Sequence, residues 1–215
     1  MFDVSRAGST AGRLRYRLLW LGLTPGVLRT ERLLLRPLCN DDVAIITAAA
    51  LESLPELLPW MGWAHPEYGA EDAEGWIAFA REMWSIGREF CFGMFREEPQ
   101  GCLTYLGNCG LDRVDWTVRS ANLGYWIRTS EVGKGYATEA ARAVAGWAFR
   151  VHKLHRIEII VEVGNARSQR TALRTGACDE GVGRNRLVLR SEPRDARVYS
   201  LIPADLAVDR PAGAD

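Results

Sequence analysis

Between Asn122 and Phe149 the sequence changes period twice, and the change leaves few architectures open. Leu123, Tyr125 and Ile127 alternate with Gly124 and Trp126, a β pattern rich in large apolar residues. Thr129 and Ser130 break it. Gly133 and Gly135 then let the backbone turn tightly and come close to something outside the protein. From Tyr136 the apolar spacing becomes helical, through Ala140, Ala141, Val144, Ala145, Ala148 and Phe149. A glycine loop at a helix start aims several free N–H groups, and the positive end of the helix dipole, at one point. That is an anion site, best suited to phosphate.

Three kinds of phosphate loop compete for this stretch. A nucleotide P-loop requires Gly-Lys-Ser/Thr, and Lys134 is followed by Gly135. A Rossmann fingerprint counted from Gly133 requires Gly or Ala where Thr138 stands. The segment Val132-Gly-Lys-Gly-Tyr-Ala137 resembles the pyrophosphate loop of the GNAT acetyltransferases, Gln/Arg-x-x-Gly-x-Gly/Ala, in all but its first position, which is Val. Gly133-Lys-Gly-Tyr-Ala-Thr-Glu-Ala140 is similar to the RimJ/RimL branch, which acetylates protein N-termini and other amines. Thr30-Glu-Arg-Leu-Leu-Leu-Arg-Pro37 matches that branch's opening, so the resemblance runs over roughly residues 28–202. It implies an α/β GNAT fold: a central, mixed, strongly twisted sheet with splayed strands 4 and 5 and helices on both faces.

The pattern along the chain agrees with one α/β domain. Strand 28–38 precedes a helix over 43–52 capped by Asn40, and a short helical segment at 53–58. An amphipathic helix over 71–87 places Trp76, Phe79, Ala80, Met83 and Trp84 on one face. Strands follow at 90–95, from 101 to about 118, and at 122–127, then a helix over 136–151. Strand 156–163, helix 165–175 and a hairpin of 178–190 with 196–202 close the domain. Residues 1–27 read as an N-terminal arm and 203–215 as a C-terminal tail. Arg13, Arg15 and Arg17 before Leu18–Leu23 resemble a signal-peptide start, but the apolar run is too short and no small-residue cleavage site follows.

At 215 residues the chain can fill one core. Its formal net charge is zero, so no global field recruits nucleic acid or a membrane, and neither is expected as a partner. Five cysteines without a Cys-x-x-Cys pair suit reduced thiols in a cytoplasm better than disulfides or zinc, and no spacing suggests a metal site.

The resemblance assigns roles residue by residue. Acetyl-CoA is the implied cosubstrate. Trp126, Ile127 and Arg128 are expected against its pantetheine arm. Val132, Gly133, Lys134, Gly135, Tyr136, Ala137 and Thr138 are expected around its pyrophosphate. Asn165 caps the next helix and is expected to contact the pantetheine. Ser168, near the sulfur, is the leading candidate to donate to the departing thiolate, and Arg170 and Arg174, on one helical face, would touch the adenosine phosphate or form a solvated basic face. Downstream the match weakens: the family's Glu-Lys is Leu173-Arg174, and its Phe is Ala177. Where the family carries an acidic residue before Gly-Tyr-Trp, this chain has Asn122, so Glu158 and Glu162, with Asp112 and Asp115 behind them, are the substitute bases. Trp60, Trp63 and His65 form an aromatic loop expected at the acceptor mouth. A homodimer is common in this branch.

Two functions fit this reading. One is an N-acetyltransferase that moves an acetyl group from acetyl-CoA to a primary amine by direct attack in a ternary complex. Its acceptor is a protein or peptide N-terminus or a small amine. The alternative is a non-catalytic acyl-CoA-binding regulatory module, motivated by the missing base.

Overall fold

A computed structural model describes residues 26–99 and 101–209; most of the expected arm, and residues 210–215 of the tail, lie outside it. Among the described residues, eight strands form one sheet. They are β1 (Leu28–Arg29), β2 (Leu34–Arg36), β3 (Phe90–Glu97), β4 (Leu103–Asp115), β5 (Ser120–Ile127), β6 (Arg156–Glu162), β7 (Cys178–Leu189) and β8 (Glu192–Leu201). Their spatial order is β1-β2-β3-β4-β5-β6-β8-β7. Only the β5–β6 pair is parallel, because the long helix between them carries the chain back across one face. Four helices cover the sheet: α1 (Val43–Leu57), α2 (Ala70–Ser85), α3 (Tyr136–Val151) and α4 (Ala166–Arg174).

Side-chain alternation splits the interior in two. Leu35, Phe92, Leu123, Ile157 and Ile159 point toward α3 and α4 and meet its Ala140, Val144 and Ala148. Leu34, Phe95, Tyr105 and Trp126 point the other way and meet Ile46, Ala49, Ala73 and Ile77 of α1 and α2. Neighbouring residues on one strand thus serve opposite cores.

Two features of the sheet shape the centre of the molecule. The β5–β6 ladder runs only through Ser120↔Arg156, Ala121↔Ile157 and Asn122↔Glu158. Beyond Asn122, β6 continues alongside β8 while β5 pairs with β4 alone, so among the described residues Leu123–Ile127 has a free edge facing the gap. The expected splay of the fourth and fifth strands lies here. Opposite that edge, the β3–β4 register slips between Met94 and Phe95. Gly107 sits in the slip at φ 137°, and a Cβ there would lie 2.1 Å from the Trp126 carbonyl, so the close approach excludes every other residue.

The sequence expectations need correcting in five places. The 28–38 strand is a hairpin of β1 and β2, because the Thr30 N–H closes on the Leu33 carbonyl at 2.9 Å. The two helical pieces at 43–58 are one helix, with Pro55 inside its last turn, where the missing N–H removes a single bond. Asn40 does not cap it. Asp42 closes the preceding turn instead, accepting from Cys39 N at 2.8 Å and holding the buried Arg36 guanidinium through two 2.7 Å bonds. Phe79 of α2 is exposed; Ala73, Ile77 and Ala80 carry that helix's buried stripe. Pro203–Asp209 is a 3-10 helix whose Leu206 packs on the α3 side.

Candidate functional site

The loop expected to hold an anion begins with the turn Thr129–Glu131 and ends where Gly135 caps α3. Gly133 and Gly135 take φ of 80° and 84°, which only glycine adopts freely. The first N–H groups of α3, at Tyr136, Ala137 and Thr138, have no partner one turn back and open to the loop's concave side.

Distant elements hold this loop in place. Glu139, in the first turn of α3, accepts from Thr30 Oγ1 at 2.5 Å, from Arg32 N at 3.0 Å and from Arg32 Nε at 2.7 Å. Arg32 also donates to the Lys134 carbonyl at 2.9 Å and lies over the Tyr136 ring at 4.7 Å. Burial opposes the Glu139 charge, but the bonds from Thr30 and Arg32 outweigh it and keep its carboxyl below the usual range. Glu131, nearly buried, is treated likewise: Lys134 at 2.8 Å and Arg96 at 2.9 Å overcome its desolvation. On the other side α1 holds the strand exit. Glu52 accepts from Ser130 N at 2.9 Å, and Ser53 Oγ accepts from Thr129 N at 3.0 Å.

A groove of ≈ 180 Å³ runs from the loop along the free edge of β5 to α4. It gathers Trp126, Ile127, Val132, Gly133, Gly135, Tyr136, Ala137, Thr138, Asn165 and Ser168, with Trp60 at its rim. Three expected cofactor residues stand outside its lining. Arg128 turns to Glu52, Lys134 lies against Glu131, and Arg170 is solvent-exposed. Of the Arg170–Arg174 pair, Arg174 lines the groove, together with Arg167 and Thr171.

At the α4 end, Asn165 Oδ1 accepts from Ser168 N at 3.1 Å, the capping bond expected from its position. The Tyr125 hydroxyl lies 3.1 Å from the Ser168 carbonyl and 3.2 Å from Ser168 Oγ. Burial pushes the Tyr125 phenol far up, partly offset by the bond to Ser168, so it stays protonated. Sequence reasoning placed Tyr125 in the strand alternation and gave it no role; its position one turn of the pleat from Trp126, facing α4, was the available signal.

The candidate bases are spread out. Glu158 Oε2 meets Arg186 at 2.7 Å and its Oε1 meets Arg156 at 3.0 Å. Glu162 folds back on Gly164 N at 2.6 Å and borders a separate hollow with Trp60, Arg190 and Arg194. Neither lines the groove. Asp112 lies directly across from Asn122, whose Nδ2 donates to its two oxygens at 3.0 and 3.2 Å. A Cβ on Gly124 would lie 3.8 Å from Asp112 Oδ2, so this carboxylate leans over the glycine just before Tyr125. Asn122 Oδ1 is buried and has no hydrogen-bond partner among the described residues.

Trp63 belongs to a second cavity, of ≈ 300 Å³, on the α1–α2 side, and His65 stands just outside its lining. Trp63 lines it, 5.7 Å from the Trp126 ring, and His65 Nε2 bonds its Asp72 at 3.1 Å. Trp126 borders both the cavity and the groove.

Comparison with known proteins agrees with this geometry. Residues 32–177 match the family model described as Acetyltransferase (GNAT) domain. YdaF of Bacillus subtilis, provisionally named a ribosomal N-acetyltransferase, is 35% identical over 96 residues; the match covers 45% of this chain and 52% of that protein. A Vibrio cholerae structure, provisionally named a ribosomal-protein-serine acetyltransferase, is 31% identical with a TM-score of 0.73, covering 83% of this chain and 98% of the other. Mycobacterium smegmatis RimJ, solved with CoA-disulfide, is 25% identical with a TM-score of 0.71, covering 81% and 84%. The split sheet, the glycine loop at the helix start and the matched family model together mean that the chain belongs to the GNAT acetyltransferases.

Proposed function

We propose that the protein transfers an acetyl group from acetyl-CoA to a primary amine by direct attack within a ternary complex. The acceptor is a peptide or protein N-terminus or a small amine. The observation that carries this reading is the continuous groove, with free N–H groups at one end, an unpaired strand edge along it and the Tyr125–Ser168 pair at the other. The CoA held by the RimJ relative supports it.

In this reading the pyrophosphate rests on the N–H groups of residues 133–138, and Arg174 supplies positive charge beyond them. The pantetheine amides pair with the free edge of Leu123–Ile127 as an added strand would. The acceptor nitrogen attacks the thioester carbonyl carbon, the C–S bond breaks, and the departing thiolate is met by the Ser168 hydroxyl. Tyr125, protonated and hydrogen-bonded to Ser168, orients that hydroxyl and shares the charge. The attacking amine gives up its proton on the opposite face of β5. Glu158 and Glu162 stand on β6, away from the groove. Asp112, although it also meets Arg113 at 2.9 Å, sits opposite Asn122 with its other oxygen over Gly124 of the groove-lining strand, so it is the better-placed acceptor for that proton.

Calorimetry with acetyl-CoA, paired with thiol release across peptides bearing Ala, Ser or Asp N-termini and small amines, tests the proposal. Binding with turnover on one acceptor class is expected. Binding with silence on every amine would favour the non-catalytic acyl-CoA module; no binding would end both readings.

A further inference from the structure

The second cavity is not used by the transfer chemistry, and its lining has a distinct character. Five aromatic side chains, Trp63, Tyr68, Trp76, Phe79 and Trp126, line its walls. Trp63 stands 5.6 Å from Tyr68 and 5.7 Å from Trp126, tilted to both, so the rings enclose space instead of stacking flat. Among the described lining residues, Asp72 is the sole charged group. Its Oδ2 accepts from Gly69 N at 2.8 Å and its Oδ1 meets His65 at 3.1 Å; these contacts hold its carboxyl below the usual range, so it is anionic at neutral pH. Each oxygen keeps a second acceptor site.

Aromatic faces carry negative potential and a carboxylate adds to it, so the complementary guest is an organic cation whose charge is spread or partly desolvated. A purely apolar guest would fill the same walls without using Asp72. We propose that this cavity is a subsite for an alkylammonium or guanidinium group carried by the acceptor, next to the amine that is acetylated. Trp126 is shared with the groove, so an acceptor seated here reaches the thioester around a single side chain. Basic small amines and peptides with a Lys or Arg near the N-terminus are the acceptors that fit. The zero net charge of the chain gave no sign of such a preference, because one half-exposed carboxylate decides it locally. The link to the acceptor rests on the transferase reading; the binding of the cation does not.

The test titrates n-butylammonium, n-butylguanidinium and 1-butanol against tryptophan fluorescence, without acetyl-CoA and at fixed ionic strength. The cations should bind about ten-fold more tightly than the alcohol of equal chain length. Asp72→Asn keeps an oxygen for the Gly69 cap but removes the charge, and should erase that preference while leaving acetyl-CoA affinity unchanged by calorimetry. Trp63→Leu removes one wall and should weaken the cations more than the alcohol. Equal binding of cation and alcohol, or a preference that survives both substitutions, overturns the proposal. Failure of the transferase reading has a separate signature: the wild-type protein would give no heat with acetyl-CoA while the cation titration stayed intact.

Discussion

Ser168 and Tyr125 occupy one spot for different reasons. Asn165 fixes the first turn of α4 by accepting from Ser168 N, which presents the hydroxyl to the groove. Tyr125 arrives from the strand because odd positions of β5 face α3 and α4. Ser168→Ala should lower kcat about ten-fold with acetyl-CoA affinity unchanged by calorimetry, since a single hydrogen bond to developing charge is removed. An unaltered kcat would remove Ser168 from the chemistry. The opposite face supplies a second test. If Asp112 takes the amine proton, Asp112→Asn should cost about 10²-fold in kcat. Adding Asn122→Glu to it places a carboxylate on the neighbouring strand and should restore much of the loss. A double variant as slow as the single one would make Asp112 structural. The sequence showed that β5 lacked an acid, but the cross-strand register that sets Asp112 beside Asn122 depends on how β4 pairs, and alternation alone does not reveal pairing.

Elements explain what single residues do not. Thr30-Glu-Arg32 and Ala137-Thr-Glu139 read as separate motifs, one opening the first strand and one opening α3. Folding joins them: Thr30 and Arg32 hold Glu139, and Arg32 reaches on to the Lys134 carbonyl. The glycine loop is therefore braced by the β1–β2 turn. Glu139→Ala leaves three donors without their acceptor and should destabilise the fold by about 2 kcal/mol in urea unfolding. It should also weaken acetyl-CoA binding several-fold, because the loop loses its brace. Lost stability with full affinity would show that the loop stands alone. The loop, the strand before it and the helix after it were legible because glycine φ and periodicity are local properties. The brace spans more than a hundred residues of sequence, and nothing local encodes it. The same limit applied to α1, which read as two pieces, 43–52 and 53–58, and to Phe79, whose place in the apolar stripe did not say that a neighbour would cover it.

At the scale of the molecule, the groove exists because β5 and β6 part after Asn122, and that parting is held by charges around its rim. Glu52 and Ser130 fasten the strand exit, Glu131 and Glu139 fasten the loop, and Glu158 and Glu180 fasten β6 and β7 through Arg156. The carboxyls of Glu52, Glu131 and Glu139 are held below their ordinary range in spite of burial, by the bonds from Ser130, Lys134 and Thr30 with their neighbours. The hydrogen bonds from Arg156 and Ser200 bring Glu180 down to about 2. A carboxyl whose folded pKa is depressed adds stability above its unfolded value and loses it as pH falls through the folded one. These groups therefore contribute fully above about pH 4.5, the contribution declines below it, and Glu180 is the last to give way, near pH 2. His152 adds a limb at higher pH. It stacks on Phe90 at 4.5 Å with its Nε2 buried and without a partner among the described residues, and burial lowers its pKa. The unfolded chain protonates this ring near pH 6.5 and the folded chain resists, so stability begins to fall below that value. Urea midpoints should thus be level from pH 7 to 8, drop gently from about 6.5, and drop steeply below about 4.5. His152→Phe should remove the gentle limb and leave the steep one. If the midpoint instead rose on acidification through this range, the rim carboxylates would be opposing the split sheet rather than holding it.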